Sequence, residues 1–207
     1  MKVLVACEFS GIVRDAFIKR GHDALSCDLL PTESPGPHYQ GDVFDIIDSE
    51  KWDLMVAHPP CTYLANSGVC HLYNKDKSLN LDRWEKMKEG ANFFQRIWLC
   101  DIPKVCVENP IMHKYAKHEA GIAYCYDTKE FKQVIQPWMF GHPEQKATCL
   151  WRRGLPELKP TNNVKEEMML LPEKLRQKNH WMSGKDRQKN RSRTYPGVAE
   201  AMAEQWG

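Results

Sequence analysis

The sequence of 207 residues lacks three features that would assign it to a class at once. Its 8 cysteines form no CxxC pair, so the spacing typical of zinc sites and thiol redox centres is missing. No apolar stretch approaches the ~20 residues of a membrane span, and the opening apolar run is too short for a signal peptide core. The net charge is only +2, which demands no polyelectrolyte partner. We therefore expect a soluble cytoplasmic protein that holds no metal.

The cysteines that are present are used as in a reducing compartment. Cys7 and Cys106 lie inside apolar runs, which is unlike a disulfide scaffold. Cys70 and His71 come nearest to a ligand pair, and two residues do not make a metal site. The length and the hydrophobic content of 42% suit one α/β domain, alone or with a small appendage.

The order of apolar segments predicts an α/β fold. Residues 3–7 form an apolar, β-branched run, and a glycine turn leads from it into a helical pattern that ends at Gly21. Further strands are predicted at 23–28, 54–56 and 103–107, and a helix at 83–100 separates the last two. Strands that alternate with helices predict a Rossmann-like, mostly parallel sheet with helices on both faces.

Acidic residues follow the early strands. Asp28 ends the second strand, and Asp42 lies in the predicted turn 39–43 that comes after the proline-rich loop 31–37. An acid at such a strand end commonly accepts hydrogen bonds from ribose hydroxyls, although a solvated aspartate is an equally good interpretation.

The most informative stretch is Ala57-His58-Pro59-Pro60-Cys61-Thr62. It follows a buried strand, and its two prolines prevent continuation as a helix or a central strand. Cys61 is therefore expected on a rigid turn at the ligand-binding edge, where its thiol could be a nucleophile; a small buried apolar residue is the alternative. The polar segment 62–82 reads as a loop that could close over the thiol.

The next strand ends in Glu108-Asn109. The apolar neighbours of Glu108 favour a raised carboxyl pKa, and the alternative is an ordinary edge acid. Further on, residues 152–195 contain twelve basic and five acidic residues, a surplus of seven positive charges. This asymmetry indicates either a phosphate-bearing partner or a solvated connector.

Taken in order, these motifs resemble the cytosine-5 DNA methyltransferase family. The resemblance runs from Val3 to about Trp151 and resumes near Thr194. It rests on six motifs and a closing helix: Phe9-Ser10-Gly11, Asp28, Gly41-Asp42, Pro59-Pro60-Cys61, Glu108-Asn109, Gly141-x-Pro143-x-Gln145 and residues 195–203.

The resemblance implies covalent catalysis. The thiolate of Cys61 would add to C6 of cytosine, which makes C5 nucleophilic enough to take a methyl group from S-adenosylmethionine. Glu108 would bind N3 and N4 of the base, and Asn109 would fix the strand end and the loop that bears Cys61. These three residues are the catalytic candidates.

The same resemblance implies two binding sets. The S-adenosylmethionine site would be lined by residues at the first strand ends: Phe9, Ser10, Gly11, Asp28, Asp42 and Pro59. Asp28 would take the ribose hydroxyls and Asp42 the adenine amino group. The base and its phosphates would meet Pro60, Gln145, Lys146 and Thr148.

Departures from the family pattern bear on the substrate. Lys146 and Thr148 stand in for two arginines, so the bidentate fork is absent. The family's large target-recognition domain is also missing. We expect a catalytic domain at 1–151, a short basic segment at 152–193 in its place, and a helix at 194–207 that returns to the catalytic domain.

The predicted function is methylation of cytosine in DNA with short or relaxed sequence context, single strands included. A companion subunit or a homo-oligomer could supply further recognition. The alternatives are C5 modification of a free pyrimidine nucleotide, and a non-catalytic descendant that binds nucleic acid or cofactor.

Overall fold

The computed structural model of the protein describes residues 1–185 and 187–207, with Gln188 described by its backbone alone. A sheet of seven strands runs through the centre. The strands are β1 Lys2–Ala6, β2 Asp23–Asp28, β3 His38–Gln40, β4 Leu54–Ala57, β5 Lys104–Pro110, β6 Lys132–Ile135 and β7 Thr148–Arg153.

The strand order is β3-β2-β1-β4-β5-β7-β6. The first five strands are parallel, whereas β7 runs antiparallel to both β5 and β6. The predicted Rossmann-like α/β fold, with a mostly parallel sheet and helices on both faces, is confirmed. The carboxyl ends of the five parallel strands lie at one side of the sheet, which we call the carboxyl edge.

Helices cover the sheet and form most of the segment after β7. They are α1 Ile12–Lys19, α2 Val43–Ile47, α3 Leu81–Trp98, α4 Lys114–Glu119, α5 Lys165–Leu170, α6 Glu173–Arg176, α7 Lys178–Trp181, α8 Arg187–Ser192 and α9 Pro196–Trp206. Short 3-10 helices lie at Asn66–Leu72 and Pro137–Met139. Within the described ranges, no helix is long and apolar enough to cross a membrane.

Two apolar clusters hold the helices to the sheet. On one face, α1 and α9 pack over β1 and β4 through side chains such as Phe17, Met202 and Trp206. On the other face, α2, α3 and α4 pack through Met87, Phe94 and their neighbours. Residues 54–57 of β4 are buried on both faces, which explains why that strand is a continuous apolar run.

The close packing of α9 depends on Gly197. A side chain at this position would collide with the carbonyl oxygen of Phe140, and its backbone N–H donates to Nε2 of His142 at 3.0 Å. The first turn of α9 is thereby fixed against the loop between β6 and β7.

The structure corrects the sequence prediction in three places. Residues 38–40 form β3, which pairs with β2, whereas the sequence predicts a turn that begins at residue 39. The polar loop 62–82 contains the 3-10 helix Asn66–Leu72. The helix predicted from residue 83 begins at Leu81, because the side chain of Asn80 caps it by accepting from Arg83 N at 3.1 Å.

Candidate active site

The carboxyl edge begins with a strained residue at the end of β1. Cys7 has a φ of 57°, a left-handed conformation that residues other than glycine rarely adopt. Burial raises the pKa of its thiol, and the negative charges of Asp28 and Asp42 add to this effect. Both carboxylates therefore lie near the end of β1, Asp28 at the end of β2 and Asp42 as the cap of α2.

The N-terminus of α1 is filled by a side chain of the protein itself. Glu8 is 4% exposed, and its carboxylate accepts from Val13 N at 2.7 Å and from Arg14 N at 3.3 Å. Ser10 Oγ also donates to this carboxylate at 3.0 Å. Dinucleotide folds bind a pyrophosphate at the corresponding helix end, and here a buried negative charge already occupies that position.

Arg14, also in the first turn of α1, holds the segments around this helix end together. Its guanidinium is fully buried and donates to Ser26 Oγ at 3.1 Å and to the carbonyl oxygen of Ser34 at 3.0 Å. It also pairs with Asp15 at 2.7 Å. Arg14 thus ties α1 to β2 and to the proline-rich loop.

Cys61 lies on a tight turn just beyond β4. Its carbonyl oxygen accepts from Leu64 N at 3.0 Å and from Ala65 N at 3.1 Å, while Pro59 is buried beneath it. The side chain of Cys61 is half-buried. Burial raises the pKa of the thiol and Glu108 raises it further, whereas the positive charges of Lys146 and Arg191 oppose the shift.

Glu108 is the acid of this site, and its pKa is shifted in the direction opposite to the one that the sequence predicts. Burial alone would raise its pKa, but a hydrogen bond from His58 and the charge of Lys146 outweigh that effect and hold the pKa below its usual value. Nδ1 of His58 lies 3.3 Å from Oε2 of Glu108. The prediction of a raised pKa is therefore wrong for the free protein.

Asn109 points to the opposite face of β5. It is 0% exposed, and among the described residues neither Nδ2 nor Oδ1 has a hydrogen-bond partner. A buried amide without partners is unfavourable by roughly 1–3 kcal/mol for each atom. The structure therefore gives no stabilising hydrogen bond that would explain an asparagine here.

A cleft beside Glu108, the base-side cleft, is bounded by β5, β7 and the start of α9. Its lining side chains are Glu108, Ile135, Pro137, Lys146, Thr148, Thr194, Tyr195 and Val198. The cleft is open to solvent, and its inner space of about 20 Å³ holds about one water molecule, which is less than a pyrimidine ring needs. A base can enter only if the cleft widens.

A second, larger cleft of about 210 Å³ lies on the other side of Tyr195. Lys178, Asn190 and Arg193 line it on the side of the basic segment, and Ile12 at the start of α1 lines it on the other. The hydroxyl of Tyr195 donates to Oε2 of Glu144 at 2.9 Å, which fixes the ring between the two clefts.

Hydrogen bonds and ion pairs attach the basic segment to the carboxyl edge. Lys146 Nζ donates to the carbonyl oxygen of Arg191 at 2.9 Å, and Gln145 N donates to that of Arg176 at 2.7 Å. Glu33, after β2, pairs with Lys189 and Arg193. The contact from Lys146 links the wall of the base-side cleft to α8.

The structure brings some of the predicted site residues together and leaves others apart. Glu108, Lys146 and Thr148 line one cleft, and Cys61 is close enough for the charges of Glu108 and Lys146 to shift its pKa. Phe9, Ser10 and Gly11 are buried at the start of α1, and Lys189 lies 5.3 Å above the ring of Phe9. Four residues predicted to catalyse or to bind the base do not line this cleft: Cys61, Asn109, Gln145 and Pro60, which is exposed on its turn.

Three residues of the site were missed by sequence reasoning, namely Glu8, His58 and Tyr195. His58 directly follows β4, and Glu8 follows β1 with one residue between them. A polar residue just after a buried strand is a weak signal for the carboxyl edge. Over the part of the chain that is described, no group of three or more potential metal ligands occurs.

Comparison with known proteins gives likenesses to solved structures only. No protein-family profile matches the chain, and no curated protein matches it. A prophage-encoded protein of E. coli described as a DNA modification methyltransferase has a TM-score of 0.49 and 15% identity over 84% of this chain and 56% of that one. The Entamoeba histolytica methyltransferase EhMeth has a TM-score of 0.45 and 12% identity over 79% of this chain and 57% of that one. The S. pombe Dnmt2 methyltransferase has a TM-score of 0.37 and 11% identity over 89% of this chain and 60% of that one. The chain thus spans less than two thirds of the length of each.

Proposed function

We propose that the protein transfers a methyl group from S-adenosylmethionine to C5 of cytosine in DNA through a covalent bond between Cys61 and C6. The observation that carries the proposal is the meeting of a thiol, a carboxylate and an ammonium group at one sheet edge: Cys61, Glu108 and Lys146 interact electrostatically. Nucleophilic addition to an unsaturated ring needs these groups, because a thiolate must form and the ring must gain a proton.

The residues at the first strand ends fit an adenosyl cofactor that carries no phosphate. Asp28 and Asp42 offer carboxylate oxygens, which suit ribose hydroxyls and an adenine amino group. The carboxylate of Glu8 at the start of α1 would repel a pyrophosphate. Phe9, Ser10 and Gly11 would contribute the floor of this site and Pro59 its boundary with the base. When bound, S-adenosylmethionine supplies an electrophilic methyl group on a sulfonium.

The pKa shifts suggest how the protons move. In the free protein the thiol of Cys61 keeps its proton and the carboxylate of Glu108 is ionised, since their pKa values are shifted up and down respectively. As sulfur bonds to C6, the thiol proton passes to Glu108 and from there to N3 of the ring. After methylation the C5 proton passes to water, and the sulfur–C6 bond breaks as the C5–C6 double bond forms again. The proton on N3 then returns through Glu108 to the Cys61 thiolate, which restores the thiol and the carboxylate.

Lys146 and the basic segment have roles in binding. Lys146 favours the thiolate of Cys61 by its charge, and it takes the part that arginines play in the family pattern. Thr148 and Pro60 would bound the base, and Gln145 would hold the backbone beside α6. Arginine and lysine side chains of residues 174–193 would contact DNA phosphates and confer little sequence readout.

A second candidate is methylation of a free pyrimidine nucleotide. The short basic segment in place of a target-recognition domain favours it, because a lone nucleotide needs no surface for a flanking duplex. Under this alternative Cys61 and Glu108 keep their roles, and Lys146 or the basic segment binds a single phosphate group.

The proposal is tested by supplying methyl-labelled S-adenosylmethionine with single-stranded DNA, duplex DNA and dCMP, and by measuring label in 5-methylcytosine. Cys61→Ala should abolish transfer, whereas Cys70→Ala, which alters an exposed cysteine of the following loop, should leave it unchanged. DNA with 5-fluorocytosine should trap a covalent complex, and its mass should map to the peptide with Cys61.

The substrates separate the candidates. Label in DNA alone supports the first candidate, and label in dCMP alone supports the second. Binding of cofactor without transfer to any of the three would indicate the non-catalytic descendant. Full activity of Cys61→Ala would refute the covalent mechanism.

A further inference from the structure

His58 occupies a position between the cofactor half and the base half of the carboxyl edge. It follows β4 directly, and its backbone N–H donates to the carbonyl oxygen of Ala6 at 2.9 Å, next to the end of β1. Its side chain is 7% exposed, and that of its partner Glu108 is 17% exposed. The resemblance to cytosine-5 methyltransferases gives His58 no role.

The contact with Glu108 assigns a hydrogen to one ring nitrogen of His58. An ionised carboxylate can only accept, so Nδ1 of His58 carries the hydrogen that lies between it and Oε2 of Glu108. Nε2 is buried, and no described residue bonds to it. Burying a polar atom without a partner destabilises the fold, so stability alone does not explain a histidine at this position.

We propose that His58 is a positioning residue for Glu108, which it orients by a hydrogen bond from Nδ1 to Oε2. The bond leaves Oε1 for N3 and the amino group of the base, so the carboxylate presents one defined oxygen to the ring. This inference rests on the proposed function for its consequence in catalysis, but the hydrogen bond itself can be tested without any substrate.

Among the described residues, the titratable groups around Glu108 are one imidazole, one ammonium group, three thiols and one phenol. They are His58 after β4, Lys146 before β7, Cys61 on its turn, Cys106 on β5, Cys149 on β7 and Tyr195 in the lining of the base-side cleft. Of these groups, His58 and Lys146 lower the pKa of Glu108, the first through a hydrogen bond and the second through its charge. Variants of these two residues therefore separate orientation from charge.

The bond is tested by following the side-chain carboxyl carbon of Glu108 by ¹³C NMR as the pH is varied, with the signal assigned by its loss in Glu108→Gln. In His58→Phe, which keeps a ring but has no donor, the pKa of Glu108 should rise. His58→Asn places an amide N–H near the position of Nδ1, and it should restore much of the low pKa. His71→Phe, a change at an exposed histidine, is the matched control.

The consequence for catalysis is tested with the same variants. Glu108 must be ionised to accept the thiol proton, so a higher pKa moves the acidic limb of the kcat profile to higher pH. His58→Phe should also lower kcat by roughly ten- to a hundredfold through misplacement of the carboxylate, with KM for S-adenosylmethionine unchanged. Lys146→Gln should shift the profile without the rescue that asparagine gives at position 58.

An unchanged pKa of Glu108 in His58→Phe would overturn the inference, whether or not the protein is active. So would a kcat profile of His58→Phe equal to that of wild type. If the wild-type protein methylates no substrate while the NMR titration behaves as expected, the proposed function fails and the positioning of Glu108 by His58 stands.

Discussion

Removal of the Glu8 carboxylate should destabilise the protein more than any exposed charge does. Glu8→Ala deletes two hydrogen bonds to backbone N–H groups of α1 and one to the hydroxyl of Ser10. Loss of a helix cap costs about 0.5–2 kcal/mol, and each buried donor left without a partner adds about 1–3 kcal/mol. Because the Ser10 hydroxyl can rotate and the surrounding structure can relax, we expect a loss of about 3 kcal/mol.

Glu8→Gln separates charge from shape. The amide keeps one acceptor oxygen in the same place, so the free energy of unfolding of Glu8→Gln should fall by only about 1 kcal/mol. Glu50→Ala is the control, since Glu50 pairs with Lys2 on the surface and its removal should leave the free energy of unfolding unchanged.

Urea unfolding, followed by circular dichroism, measures these differences. At roughly 2–4 °C per kcal/mol, Glu8→Ala should also melt about 6–12 °C below the wild-type protein. A loss below about 1 kcal/mol in Glu8→Ala would refute the reasoning, because the α1 N-terminus would then be satisfied without the carboxylate. Equal losses in Glu8→Ala and Glu50→Ala would refute it as well.

Three further predictions concern stability. Gly197→Ala should destabilise the protein by about 2 kcal/mol or more, because its Cβ would meet the carbonyl oxygen that this glycine approaches in the native fold. Gly90→Ala, in the middle of α3 with ordinary space for a methyl group, should stabilise by about 0.5–1 kcal/mol, and thermal melts of both variants check the contrast. Burial opposes the ionisation of Asp127, but its hydrogen bonds with Lys117 and Lys132 lower the pKa of the carboxyl. Since the pKa is lower in the folded state, the stabilisation is present above the ordinary aspartate pKa and is lost as the pH falls. The acid-unfolding curve of Asp127→Asn should therefore be flatter than that of wild type.

Much of the fold was predictable because its signals are local. The apolar run at residues 54–56 and the helical period at 83–100 depend only on spacing along the chain, and both elements are present as β4 and α3. β3 was not predictable, since three polar residues after a proline-rich loop carry no strand pattern and become a strand only by pairing with β2.

The candidate site was predictable only in part, for a related reason. Glu108 could be assigned to the carboxyl edge from its place after an apolar strand. Its pKa could not be predicted, because the shift depends on His58 and Lys146, which are 50 and about 40 residues away in sequence and meet it only in the fold. The capping by Glu8 escaped detection because the helix begins at Ile12, beyond the usual capping distance.

The packing of α1 against α9 has a consequence for how the chain acquires its structure. Val13 and Phe17 are buried against Val198 and Met202, on the order of 180 residues later in the chain. Contacts between residues so far apart in sequence slow folding, since a long loop must close before they form. During synthesis on a ribosome, the apolar side of α1 stays uncovered until α9 has been made, so this surface is exposed for most of the time that synthesis takes.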